Sequence, residues 1–273
     1  MGKLSLSLVA LGVAACGSDN NNPADAKVVI VPDAKMIDAP KVFNDAPPTN
    51  YDFTCFGMAA PTTAADPVSV SGITGSLSQS GLTPVSGVTV DFFKTGNATA
   101  VASTTSGAGG AFASGDVVTG GTPTNAYVRA SLAANRTTYL YPPNPVVASL
   151  TNVPVPMISN STFTLIQTVA QVTQDDDNNG VILAVVSDCA LAGIDGADIS
   201  AKQGGTEVGT QFDLGAVSQG MAPGTFAILN VPDGDTTLTA SYNGMTFPVR
   251  TVASHKKIAT VASVTSTAVV PGP

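Results

Sequence analysis

Apolar positions along this chain change their spacing twice. Leu4 to Ala15 is a twelve-residue apolar stretch interrupted by Ser5, Ser7 and Gly12. Residues 17–50 still hold apolar side chains, as in Lys27-Val28-Val29-Ile30-Val31-Pro32, but no period is sustained. From Val68 the pattern becomes regular: Val68-Ser69-Val70-Ser71-Gly72-Ile73-Thr74-Gly75-Ser76-Leu77 alternates with a period of two, which predicts a half-buried strand.

Further strands follow at short intervals. Val88, Val90 and Phe92 share one face of a second strand. Gly107 to Gly110 makes a turn, Ala111-Phe112-Ala113 starts a third strand, and Ala126 to Ser131 reads as a fourth. Tyr139-Leu140-Tyr141 leads into a proline-rich exit. Between Ser159 and Gln174 the spacing changes to that of a helix, with Phe163, Ile166, Val169 and Ala170 on one face and Asn160 or Ser161 placed to cap it. The threonines there leave a strand as the alternative. Val181 to Val186 is then a strongly apolar strand.

The same order recurs. Gly196 and Ile199 answer Gly87 and Val90, Phe226 answers Phe112, and Leu238 answers Val128. A shift of this size, more than a hundred residues, predicts two copies of one domain and not a solenoid of short units. The second copy reads Gly180, then Gly196-Ala197-Asp198-Ile199, Gly224-Thr225-Phe226, Asn230-Val231-Pro232-Asp233-Gly234 and Thr237-Leu238-Thr239-Ala240. The first keeps Gly87-Val88-Thr89-Val90 and Gly110-Ala111-Phe112, with Thr119-Gly120-Gly121-Thr122-Pro123 where the second has its Asn-Val-Pro-Asp-Gly step. These motifs resemble the carboxypeptidase regulatory-like domain, a transthyretin-like β-sandwich, over residues 68 to about 265 with one gap. The resemblance implies an all-β chain of two tandem transthyretin-like or Ig-like sandwiches joined by a short helix. It implies no carboxypeptidase activity, because in the metallocarboxypeptidases this domain is an accessory to a separate zinc enzyme.

The N-terminal stretch is too short to span a bilayer, which takes about 20 apolar residues. With Lys3 ahead of it and small residues at its exit, it has the parts of a secretory signal. The exit reads Val13-Ala14-Ala15-Cys16 and resembles the lipobox of bacterial lipoproteins. The resemblance implies cleavage before Cys16, a diacylglycerol on its thiol and acylation of the new amino end. Gly17 after the cysteine implies export to the outer membrane. A plain signal peptide with an incidental cysteine is the alternative. The predicted organisation is a signal peptide over 1–15, the lipidated Cys16 with a disordered Pro-, Asp- and Ala-rich tether over 16–54, a first sandwich over 55–158, a helical linker over 159–177 and a second sandwich over 178–270. A first strand at Val28–Val31 is the competing reading within the tether.

Composition narrows the functions. The chain has no Trp, 11% charged residues and a formal charge of -8, which disfavours nucleic acid and anionic lipid surfaces as partners. Lipidation of Cys16 leaves Cys55 and Cys189, an even pair in an oxidising compartment, and a Cys55–Cys189 bridge is the expectation. Two small buried side chains that never meet are the alternative.

Candidates for chemistry are few. The single histidine, His255, lies in a polar turn, and no G-x-S-x-G, phosphate-binding loop or H-E-x-x-H occurs. Asp175-Asp176-Asp177-Asn178-Asn179-Gly180 matches the first half of a calcium loop, with Asp175, Asp177 and Asn179 as oxygen donors. The closing Glu would fall at Val186, so a solvated acidic turn is preferred and no metal or other cofactor is expected. Tyr139 and Tyr141 share one face of a strand, suited to packing at a sandwich edge or to a sugar platform. The chain reads as a non-enzymatic lipoprotein of the bacterial cell envelope, anchored to the outer membrane. It would serve as a display, adhesion or scaffold module for an unidentified protein or glycan partner. A carbohydrate-binding module is the first alternative and a hydrolase accessory protein the second.

Overall fold

In the computed structural model, residues 51–78, 81–217 and 223–265 are described. Cys16, the predicted signal peptide and the predicted tether as far as Asn50 lie outside them. The fold is all-β. In the first half, the strands are β1 (Val70–Ser78), β2 (Gly81–Pro84), β3 (Thr89–Lys94), β4 (Ala102–Thr105), β5 (Ala111–Ala113), β6 (Ala126–Ser131), β7 (Asn135–Arg136), β8 (Thr138–Tyr141) and β9 (Leu150–Ser159). After the helix α1 (Asn160–Ala170) come β10 (Asn179–Ser187), β11 (Asp198–Gln203), β12 (Thr206–Glu207), β13 (Thr210–Asp213), β14 (Thr225–Pro232), β15 (Gly234–Tyr242), β16 (Met245–Thr246), β17 (Arg250–Ser254) and β18 (Ala259–Thr265).

The two halves repeat one pairing scheme. β1 lies between antiparallel β5 and parallel β9, and β10 lies between antiparallel β14 and parallel β18. In the facing sheets β3 pairs with β4 and β6, and β6 with β8; β11 pairs with β12 and β15, and β15 with β17. Backbone demands explain the recurring glycines. Gly110 and Gly224 both have positive φ, 75° and 67°. A side chain at Gly110 would run into the Thr74 carbonyl of β1; one at Gly224 would sit 2.7 Å from the Val186 carbonyl of β10. Only glycine meets both conditions without strain.

The halves are joined by more than the helix. β8 pairs in parallel with β18, Thr138 opposite Ala259 and Tyr141 opposite Ala262. One eight-stranded sheet therefore runs β13-β14-β10-β18-β8-β6-β3-β4 through both sandwiches. The outer sheets cover opposite faces of it. Val90, Phe92, Val128 and Ala130 face a first core with Val70, Phe112, Val155 and Met157. Ile182, Ala184, Phe226, Ile228, Ala262 and Val264 face a second core with Ile199, Leu238 and Val252. Alternate residues of β8 divide between them, Leu140 toward the first core and Tyr139 and Tyr141 toward the second.

The reverse face of β10 is buried as well. Val181 and Leu183 pack with Phe163 and Ile166 of α1 and with Ile158. Burial on both faces accounts for the unbroken apolar run of β10, where a one-sided strand would alternate. The helix thus covers a sheet and does not merely link two domains. Its N-cap is Ser159, one residue before the predicted caps, whose hydroxyl accepts from the Thr162 N–H at 3.0 Å. Val169, predicted on the buried face, is 40% exposed, while Ala170 packs against this cluster instead.

Two strands depart from the simple alternation. Period two in β1 places Thr74 inside and Ile73 outside; Thr74 is fully buried and its hydroxyl donates to the carbonyls of Val85 and Gly110. β9 carries Pro154 and Pro156, opposite Ile73 and Gly75 of β1. Two residues apart, both prolines place their missing N–H on one side, and β9 has no partner on its outer side until β7 meets Ile158 and Ser159.

Candidate functional site

The first described residues do not join the first sandwich. Tyr51 to Met58 form a strap across one end of the second. Tyr51 and Phe53 pack against Tyr242, with ring centroids 5.5 and 6.2 Å away, and Phe53 and Phe56 lie 6.4 and 6.3 Å from Phe247. The Tyr51 hydroxyl accepts from the Asp195 N–H at 2.9 Å. Residues 51–54, read from sequence as the end of the tether, are therefore built into the fold, and Cys55 opens onto the second sandwich instead of the first.

Cys55 and Cys189 are joined in a disulfide, with Cα atoms 5.8 Å apart, and both are buried. Around it the backbone is doubly tied. The Cys189 N–H donates to the Asp52 carbonyl at 2.8 Å, and the Asp52 N–H donates to the Asp188 carboxylate at 2.9 Å. Asp188 is 3% exposed. Its carboxylate also accepts from the N–H groups of Ala190 and Ala192, at 3.0 and 2.8 Å. Three backbone donors compensate the burial of this charge. Asp52 is held below the usual carboxylate range by the hydroxyl and then the N–H of Thr54.

A second cluster lies on the shared sheet. The register sets Phe93 opposite Tyr127 and Asp91 opposite Arg129, and on the other side of β6 it sets Arg129 opposite Tyr139. Tyr127 stacks on Phe93 at 5.0 Å and on Tyr139 and Tyr141 at 5.2 and 5.3 Å. Arg129 lies over the Phe93 ring at 4.9 Å and pairs with the buried Asp91 at 2.7 Å. The ion pair raises the Arg129 pKa, chiefly through the hydrogen bond to Asp91. Burial pushes the Tyr141 phenol up to about 12. The faces of Tyr127 are occupied by its neighbours. Tyr139 and Tyr141 thus form a packing seam that carries the second core onto the first half of the sheet, and a flat sugar platform is not offered by Tyr127.

The acidic turn directs its carboxylates to different partners. Asp175 binds within the turn, accepting from the Asp177 N–H and the Asn178 amide. Asp176 pairs with Arg136, whose guanidinium also lies over the Phe163 ring at 3.5 Å, and Asp177 meets Lys257 at 3.1 Å. Asn179 lies in β10, and its carbonyl accepts from the Lys257 N–H. Among the described residues no group of three His, Cys, Asp or Glu side chains converges as a metal site would require. His255 lies in the turn between β17 and β18, its Nδ1 2.7 Å from Asp233 and its ring edge-on to Tyr139. A shallow groove of about 320 Å³ beside the end of α1 is lined by Thr164, Gln167, Thr168, Gln171, Val172 and Thr173, which supply no acid, base or charged ligand. Among the described residues no helix is long and apolar enough to cross a membrane.

Sequence reasoning missed Asp188, Asp52 and the aromatic strap. Asp188 is one of many scattered aspartates, and beside the local donors Ala190 and Ala192 its third donor, Asp52, comes from far away in the chain. Tyr51 and Phe53 precede the first periodic residues, so no alternation marks them.

No protein-family model and no curated protein sequence matches the chain. Solved structures similar to it include a streptococcal ancillary pilin, 10% identical with a TM-score of 0.25 over 74% of this chain, which spans 62% of that one. The shaft pilin of Lactobacillus rhamnosus GG is 12% identical with a TM-score of 0.22, covering 77% of this chain and 100% of its own. The minor pilin of Streptococcus agalactiae is 9% identical with a TM-score of 0.23, covering 76% and 99%.

Proposed function

We propose that this chain is a non-enzymatic lipoprotein of the bacterial cell envelope, anchored through Cys16. Two carboxypeptidase regulatory-like sandwiches then serve as a display or adhesion scaffold beyond an N-terminal tether. The observation that carries this reading is the strap. The segment leading from Cys16 meets the fold at Tyr51–Cys55 and is fastened covalently to the second sandwich at Cys189. Tension on an anchored N-terminus would pass from Cys55 to Cys189 without drawing on the 133 residues between them, whose ends the bridge already holds together. The shared sheet joins the described residues into one compact unit, as a scaffold requires.

Two measurements test the reading. Labelled palmitate should enter the wild-type chain and not Cys16→Ser, and protease added to intact cells should remove the folded unit from the surface. Label entering the variant equally would show that Cys16 is not the anchor. A hit on a glycan array that survives removal of the aromatic seam by Tyr127→Ala and Tyr139→Ala would leave the binding surface elsewhere. A hit lost with those rings would restore the carbohydrate-binding alternative.

A further inference from the structure

The disulfide lays two apolar loops side by side at one end of the second sandwich. One is Phe56-Gly57-Met58-Ala59-Ala60-Pro61, the other Ala190-Leu191-Ala192-Gly193. Phe56, Met58 and Leu191 are 40%, 60% and 57% exposed, although the cysteines beneath them are buried. No charged residue follows Cys55 until Asp66, or Cys189 until Asp195. The carboxylates immediately before the two cysteines, Asp52 and Asp188, are occupied by backbone N–H donors. Three large exposed apolar side chains thus lie on adjoining uncharged loops.

We infer that this end is a membrane-contacting tip, inserted at the interface of the bilayer that holds the lipid anchor. The inference rests on the anchored reading above for its geometry. The N-terminal segment reaches the fold at Tyr51, beside the tip, so the end of the molecule joined to the tether is also its apolar end. The 35 residues from Cys16 to Asn50 span about 120 Å at most, which brings the tip to the bilayer without strain. Tethering makes the contact intramolecular, so a tip that binds a membrane only weakly from free solution becomes effective once anchored. The formal charge of -8 gives the chain no attraction to anionic headgroups, and the uncharged loops suit the apolar side of a zwitterionic interface instead. Insertion of Phe56, Met58 and Leu191 would lay the scaffold's end against the surface and fix which face points outward.

The test separates the tip from the anchor. A chain beginning at Gly17, which retains the whole compact unit, is floated with phosphatidylcholine vesicles at high lipid. It should bind weakly, and Phe56→Ser with Met58→Ser and Leu191→Asn should lower binding at least about tenfold in a variant that still unfolds cooperatively. In the lipidated full chain in the same vesicles, Met58 should resist a water-soluble oxidant severalfold better than in the vesicle-free Gly17 chain, with Met36 as internal reference. Absence of flotation together with equal oxidation of Met58 in both states overturns the inference. So does a concentration-dependent dimer that the triple variant abolishes without any vesicle binding, which would make a second copy the occupant. Flotation of the Gly17 chain together with a full chain whose Cys16 takes no palmitate would defeat the anchored reading and leave the tip standing.

Discussion

Removal of the Cys55–Cys189 bridge is the perturbation whose size follows most directly from the fold. The bridge closes a loop of 134 residues, which contains the whole first sandwich and β10. In the chain-entropy model, a loop of that length removes about 5 kcal/mol of freedom from the unfolded chain at 25 °C. A protein of this kind is stable by only about 5–15 kcal/mol, so Cys55→Ser with Cys189→Ser removes a third or more of the total. For a unit of this size the melting temperature should fall by about 10–20 °C.

The mechanism has a signature beyond the loss itself. The Tyr51 and Phe53 packing, the Asp188 hydrogen bonds and the shared sheet all remain in the double variant, so its native state should keep the wild-type near-ultraviolet spectrum. What changes is the unfolded state, which opens further without the crosslink. The denaturant slope should therefore rise while the midpoint falls, as chemical denaturation of both proteins under matched conditions would record. A double variant with an unchanged slope and a midpoint shift worth less than about 1 kcal/mol would refute the argument.

Other perturbations probe the repeat, the seam and the acidic turn. Gly110→Ala and Gly224→Ala should each cost about 3 kcal/mol in thermal denaturation, because both set a methyl group against a carbonyl of the first strand of their copy; a neutral result at either would break the equivalence. The raised pKa of Tyr141 means that the folded state retains a proton the unfolded state loses above pH 10. Its contribution is whole below pH 10 and falls by roughly 1–2 kcal/mol as pH rises toward 12, a loss that Tyr141→Phe should reduce in urea titrations across that range. Millimolar calcium should leave the melting temperature unchanged, since Asp176 and Asp177 are already paired with Arg136 and Lys257; a rise that Asp175→Ala with Asp177→Ala abolishes would show a site.

What could be read from the sequence was what the backbone imposes locally. Gly110 and Gly224 carry the repeat because a positive φ beside a neighbouring carbonyl admits one residue type, and that demand leaves its mark in each copy separately. The helix was legible from the spacing of Phe163 and Ile166. Its covering role was not, since α1 meets β10 through side chains whose own pattern is simply continuous apolarity. The alternation of β1 was visible, yet it says nothing of which hydroxyl fills the space at Thr74. β9 was hidden by Pro154 and Pro156, which read as strand breakers until the strand's outer side is known to be unpaired. The parity of the cysteines and the export expected from the N-terminal stretch raised a bridge between Cys55 and Cys189. Nothing local announced that Asp188 would lie beside it as a buried charge with three backbone donors.

The pairing of β8 with β18 was the least visible feature and has the largest consequence. Four residues of β8 complete the first sandwich, yet they also flank the last strand of the second, more than a hundred residues later in the chain. In the second copy the equivalent strand, β17, pairs among the described residues with β15 alone, so the repeat is broken at the point where the copies meet. The seam explains how the shared position is held. Tyr139 and Tyr141 point toward the second core while Leu140 points toward the first, so the strand must be apolar on both faces. Tyr127 and Phe93 extend the stacking outward along β6 and β3, and Arg129 closes it with a charge that Asp91 neutralises. With the strap fastened to the second sandwich and the last described strand, β18, flanked by β10 and β8, both ends of the described chain are held in that half. The first sandwich is then an excursion between two fixed points, closed at its base by the disulfide and along its flank by the common sheet. A fold built this way resists separation of its two sandwiches through backbone hydrogen bonds as well as side-chain contacts, which a flexible linker between two independent sandwiches would not provide.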